Sequence, residues 1–182
     1  MRSDDSLEDL LMMETSRRNT DIISGLVLEK PELFREIMEI FFRNEEPVSR
    51  RAAWVADTVS EKRPELLEEY LGSIITALPG FSHDGMKRSS LRMLTRSPVP
   101  EQNLGDLINI CFDWLVSSWE SVAVKVFAME ILYRISLDIP ELKKELADSI
   151  EWRMAEETAG FKSRGRKTLK MLYKEMNSRK IE

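Results

Sequence analysis

Pro31-Glu32-Leu33-Phe34 returns along the chain as Pro64-Glu65-Leu66-Leu67, Pro100-Glu101-Gln102-Asn103 and Pro140-Glu141-Leu142-Lys143. The steps between these prolines are 33, 36 and 40 residues, inside the range of periods that marks stacked repeat architectures. Proline fits the first turn of a helix because an amide there lacks an intrahelical partner anyway. Each proline is followed by apolar residues at helical spacing. After Pro64 they are Leu67, Tyr70, Leu71, Ile74, Ile75 and Leu78; after Pro100, Leu104, Leu107, Ile108, Cys111, Trp114 and Leu115; after Pro140, Leu142, Leu146, Ile150 and Met154. These segments are A helices.

A second helical set lies between them and begins with basic residues: Arg17-Arg18, Arg50-Arg51, Lys87-Arg88, Lys125, and Arg164 to Lys167. Arg18 to Arg51 is again a step of 33 residues, and Glu29-Lys30-Pro31-Glu32-Leu33 is echoed by Lys62-Arg63-Pro64-Glu65-Leu66. Two independent markers therefore keep one register. Breaks at Glu46-Pro47, Pro79-Gly80, Ser117-Ser118 and Ala159-Gly160 separate these B helices from the A helices before them. With a short acidic first A helix around Ser6 to Glu14, the chain reads as about five helix pairs. No alternating apolar run is bounded by hairpin turns, so strands are not expected. The expectation is one all-α solenoid domain over 1–182.

The B segment Ser121-Val122-Ala123-Val124-Lys125-Val126-Phe127-Ala128-Met129-Glu130-Ile131-Leu132 resembles the second helix of a HEAT repeat, in which a valine–basic pair precedes small and apolar residues. Val48-Ser49-Arg50-Arg51-Ala52-Ala53-Trp54 and Met86-Lys87-Arg88-Ser89-Ser90-Leu91 are looser versions. Glu46, Asp84 and Glu120 stand where the family pattern often has an acid ahead of that helix. Repeat lengths vary, and Gly165 near the start of the last B helix departs from the pattern. The resemblance covers most of the chain and implies a right-handed HEAT/armadillo-like α-solenoid, with A helices outside and B helices lining a concave groove. It implies a protein-binding scaffold only by analogy, since fold does not fix function.

Charge divides between the two helix sets. The five A segments (4–14, 31–46, 64–78, 100–120, 140–158) carry −18, and the B segments (16–29, 48–63, 82–96, 121–138, 162–179) carry +11. On the implied fold this is an acidic outer wall around a basic groove, although both faces can equally be solvated surface. A helical wheel assigns the buried stripes and, opposite them, the groove residues. Ala52, Val55, Ala56 and Val59 go inward in the second B helix, leaving Arg50, Trp54 and Asp57 outward. In the third, Met86, Ser90, Met93 and Leu94 go inward, leaving Arg88, Leu91 and Arg92. The fourth buries Val124, Ala128, Ile131 and Ile135 and presents Val126, Met129, Glu130 and Tyr133. The fifth buries Leu169, Leu172, Tyr173 and Met176 and presents Arg164, Lys167, Met171 and Lys174.

The expected function is therefore non-enzymatic. An acidic peptide or a helix of a partner protein would lie in the groove, steered by Arg50, Arg88, Arg92, Arg164, Lys167 and Lys174. Trp54, Met129 and Tyr133 would anchor it, since aromatic and arginine side chains dominate interface hot spots. The bland alternative packs Trp54, Met129 and Tyr133 against neighbouring repeats. A nucleic-acid backbone could follow the same basic residues with a base stacked on Trp54, although the net charge of −5 weighs against a general nucleic-acid binder.

Chemistry has few candidates. His83 is the one histidine and Cys111 the one cysteine, so neither a disulfide nor an ordinary structural zinc site is expected. His83 beside Asp84 lacks a partnered nucleophile, and Ser82 or Asp84 is expected to cap the following helix. No Walker-type loop or dinucleotide fingerprint occurs, and no cofactor is expected. Helical-repeat DNA glycosylases that excise alkylated purines offer an enzymatic alternative, requiring a groove aspartate beside aromatic and arginine residues. Arg50, Trp54 and Asp57 supply that trio, but Trp114, Trp119 and Trp152 lie on or beside A helices. The acidic start lacks the basic and apolar regions of a signal peptide, and no apolar run reaches the roughly 18 residues a membrane span requires. A cytoplasmic monomer or weak homo-oligomer is the resulting expectation, with the acidic A faces and basic last helix as a route to self-association.

Overall fold

The computed structural model describes residues 6–178. Asp4 and Asp5 of the first acidic segment and Arg179 of the last basic one lie outside them. Every described regular element is helical. In order they are α1 (Leu7–Met13), α2 (Arg17–Glu29), α3 (Leu33–Phe42), α4 (Val48–Lys62), α5 (Leu71–Ala77), α6 (Asp84–Thr95), α7 (Leu104–Val116), α8 (Val122–Asp138), α9 (Leu142–Met154) and α10 (Ala159–Ser178). Short 3₁₀ turns occupy Pro64–Tyr70, Leu78–Gly80 and Glu101–Asn103.

Local chemistry sets the boundaries. Ser6 and Asp9 form a reciprocal capping box at α1, with Asp9 N donating to Ser6 Oγ at 3.2 Å. Ser16 caps α2 by accepting from Asn19 N at 3.1 Å. Two of the recurring prolines, Pro31 and Pro140, sit in the same turn. Leu33 N and Phe34 N donate to Lys30 O and Pro31 O, and Leu142 N and Lys143 N donate to Ile139 O and Pro140 O in the same way. The α-helix then starts two residues after the proline. The segment after Pro64 departs from the expected single helix: it runs as a 3₁₀ turn to Tyr70 and only then as α5. Leu67, Leu71, Ile74, Ile75 and Leu78 are nevertheless all buried.

The chain divides into two compact units, Met1–Pro100 and Glu101–Glu182. In the first, α4 is central and packs against α1, α2, α3, α6 and the 3₁₀ turn Pro64–Tyr70. Ten of its fifteen residues are buried. Aromatic edges fill the space beside it, with Phe41 meeting Phe42 and Phe81 at centroid distances of 4.8 and 5.3 Å. In the second unit, α8 packs on α7, α9 and α10.

The expected inward stripes of α4, α6 and α8 are buried as read. Four wheel assignments require correction. Leu91 and Met129, expected to face outward, are 0% exposed, and Asp57, likewise expected outward, is 2% exposed. Tyr173, expected inward on α10, is exposed and donates its hydroxyl to Glu151 Oε1 at 2.6 Å. Around α8 three helices, α7, α9 and α10, cover more than one flank, so a single apolar stripe understates its buried face. On α10, which packs on α8 and α9, the apolar stripe is narrower than the wheel gives.

Candidate functional site

The first unit carries a cleft of about 190 Å³ where the start of α4 meets the start of α6. Arg50, Arg51 and Trp54 come from α4; His83, Asp84, Gly85, Arg88 and Ser89 from α6 and its cap; Thr15 from the α1–α2 turn. Gly85 is what lets the two helices close up. A Cβ there would come within 2.7 Å of Arg50 Cδ and 2.9 Å of Arg50 Cγ. The Arg50 stem thus lies against the backbone of the first turn of α6, and its Nε donates to Glu46 Oε2 at 3.0 Å. Arg51 turns back and donates from Nη1 to Leu11 O at 2.8 Å, while its buried Nε has no hydrogen-bond partner. Arg88 is exposed and Trp54 partly so. The α6 cap is neither Ser82 nor Asp84. It is His83, whose Nδ1 accepts from Gly85 N at 2.9 Å.

Three of the expected groove residues, Arg50, Trp54 and Arg88, therefore meet in one cationic cleft. Asp57 does not join them. Its side chain is 2% exposed, with Arg96 Nη2 at 2.6 Å from Oδ1 and Arg92 Nη1 at 3.1 Å from Oδ2. Burial raises the Asp57 carboxyl above its ordinary 3.8 even though both guanidinium groups pull it down. Asp57 is thus an internal tie between α4 and the end of α6, and Arg92 is engaged in holding it. The open Arg50–Trp54–Asp57 trio that base excision would need is not formed.

In the second unit Met129 is core, which removes it from the anchor set. Tyr133 is half-buried and donates to Glu175 Oε1 at 2.6 Å, and Lys143 Nζ sits 2.5 Å from Glu175 Oε2. The hydrogen bond to Glu175, aided by burial, pushes the Tyr133 hydroxyl up to about 12. Arg164 pairs with Glu130 at 3.2 Å. Lys167 and Lys174 are exposed. Lys174 borders an open depression of about 460 Å³ with Lys143, Met171, Glu175 and Ser178.

The sequence reading missed the buried triad of this unit. Glu157, just past α9, accepts from Lys125 Nζ and from Arg153 Nε, the latter at 2.9 Å. Burial acts to raise the Glu157 carboxyl, but the hydrogen bonds from Lys125 and Arg153 outweigh it and hold it below 4.5. Lys125 had stood out as the basic residue of the repeat-like segment, yet its partner lies 32 residues on, beyond any local pattern. Cys111 is a buried core residue whose thiol is pushed up by desolvation. Among the described residues no His, Cys, Asp and Glu cluster could hold a metal ion. No described helix is long and apolar enough to cross a membrane.

No curated protein and no solved structure matches the chain. The HEAT repeat domain family does match, over residues 7–172. With its all-helical A and B segments and the proline turn that recurs between them, the chain belongs to the HEAT repeat domain family.

Proposed function

We propose that this chain is a non-enzymatic, cytoplasmic protein-interaction module that binds an acidic peptide or helix on its B-helix face. HEAT repeats typically mediate protein interactions, and the observation that carries the finer reading is the cleft shared by Arg50, Trp54 and Arg88. Arg88 and Arg50 pair with partner carboxylates there, and the Trp54 ring takes an apolar side chain between them. Lys167, Lys174 and Arg164 of the second unit add positive charge along other B-helix surface. Arg92 contributes through the Asp57 tie.

The test is fluorescence anisotropy with a labelled peptide alternating glutamate and leucine. Trp54→Ala and Arg88→Glu should each weaken binding by about tenfold or more while circular dichroism stays unchanged. Unchanged affinity in both variants would sink the reading. Loss of helicity in Trp54→Ala would instead mark Trp54 as core. A single-stranded oligonucleotide bound more tightly than the peptide, with a steep salt slope, would point to phosphate recognition.

A further inference from the structure

The second unit exposes two tryptophans that the cationic cleft does not use. Trp119, in the turn between α7 and α8, is 94% exposed, and Trp152, in the last turn of α9, is 66% exposed. Indole rings are ordinarily among the more buried side chains on average. Both are also held. Ser117 Oγ accepts from Trp119 N at 3.1 Å and from Glu120 N at 3.3 Å, which fixes the turn that presents Trp119. Trp152 lies against the Arg153 guanidinium, 5.9 Å from ring centroid to Cζ, and Arg153 is itself buried and bound to Glu157.

The two turns belong to one end of this unit. Lys125, in the first turn of α8, is paired with Glu157 in the turn after α9. A Cβ built at Gly160 would sit 3.8 Å from Val122 Cγ1. Carboxylates flank both rings. Glu120 follows Trp119; Glu151, which accepts from the Tyr173 hydroxyl at 2.6 Å, precedes Trp152; and the Glu156 side chain, 3.2 Å from Arg153 Nη1, is 77% exposed.

We infer that this end of the second unit is a docking surface for a lysine- and arginine-rich segment of a partner protein. Indole faces are the best cation–π acceptors among side chains, and the carboxylates around them supply charge complementarity. The Trp119 turn is fixed by Ser117 and the Trp152 ring lies beside Arg153, so less freedom is lost on contact than by a mobile loop. A lipid surface fits less well, because tryptophans that anchor at membranes are accompanied by basic residues, and anionic leaflets repel carboxylates. The surface is independent of the cationic cleft: it lies in the other unit and selects the opposite charge.

The experiment uses the full chain and a fluorescein-labelled peptide repeating arginine and glycine. The wild type should bind it, and the Trp119→Ala/Trp152→Ala double variant should bind about tenfold more weakly with unchanged circular dichroism and melting temperature. Trp54→Ala should leave this affinity as it is, which separates the result from any failure of the cleft. Absence of binding by the wild type overturns the inference. So does equal binding by the double variant, which would reduce the interaction to attraction by net charge. A blue shift of tryptophan emission on phosphatidylcholine vesicles, without affinity for the peptide, would assign the surface to membranes and overturn it too.

Discussion

Asp57 and Glu157 are both carboxylates held by two cations in the interior, and their proton affinities move in opposite directions. Around Asp57 the partners Arg92 and Arg96 are about a third exposed, with side-chain accessibilities of 36% and 32%. Solvent weakens their pull and desolvation prevails, with the nearby Glu61 adding to it. Around Glu157 both cations are themselves buried and hydrogen-bonded to it, so the ionised form prevails. The sign for stability follows by linkage. Glu157 binds its proton less readily in the fold than in the unfolded chain. Its stabilisation is present above pH 4.5 and is lost as pH falls through the lower, folded value. Asp57 binds its proton more readily in the fold, so stability falls as pH rises from 3.8 through its raised value. Urea unfolding across pH 3 to 7 tests this. The stability gap between wild type and Glu157→Gln should shrink on acidification, and the gap between wild type and Asp57→Asn should grow. The sequence could place Asp57 on the outward arc of α4. It could not show that arginines one repeat later would fold over it.

At the scale of elements, the A and B segments were legible because their markers are local: a proline turn, a basic start, an apolar period. Burial around a helix is not local. Met129 sits on a helix covered by three neighbours, α7, α9 and α10, and only the assembled packing reveals that. Gly165 makes the same point from the other side. Its departure from the family pattern has a packing reason, since a Cβ there would lie 3.1 Å from Ile150 Cγ2 and 3.3 Å from Met154 Sδ. The glycine lets α10 approach α9 closely. Gly165→Val, with two further carbons in that space, should cost about 2 kcal/mol through overpacking. Gly160→Ala, whose nearest neighbour is Val122 Cγ1 at 3.8 Å, should change stability little. Denaturant midpoints at constant slope decide between these outcomes. Equal midpoints for the two variants would show that the α9–α10 contact yields easily.

For the molecule as a whole, the separation of −18 on A segments from +11 on B segments matters more than the net −5. On the proposed reading, such segregation lets a chain of small net charge attract an acidic partner. The cationic cleft was half visible in the sequence: Arg50, Trp54 and Arg88 were assigned to one face, while Arg51 and the Gly85 approach required the fold. Long-range attraction of this kind acts on encounter more than on the finished complex. Exposed charges are screened beyond about 8 Å at physiological salt, whereas the Trp54 contact in the cleft is short-ranged and partly desolvated. Stopped-flow binding of the glutamate–leucine peptide should therefore show an association rate that drops about tenfold between low and physiological salt. The dissociation rate should change by far less and respond instead to Trp54→Ala. A dissociation rate that rises with salt as steeply as association falls would mean that charge alone holds the peptide and that the indole is a bystander. In that case the affinity of any acidic polymer would follow its charge density, and an oligonucleotide would compete on equal terms with the peptide.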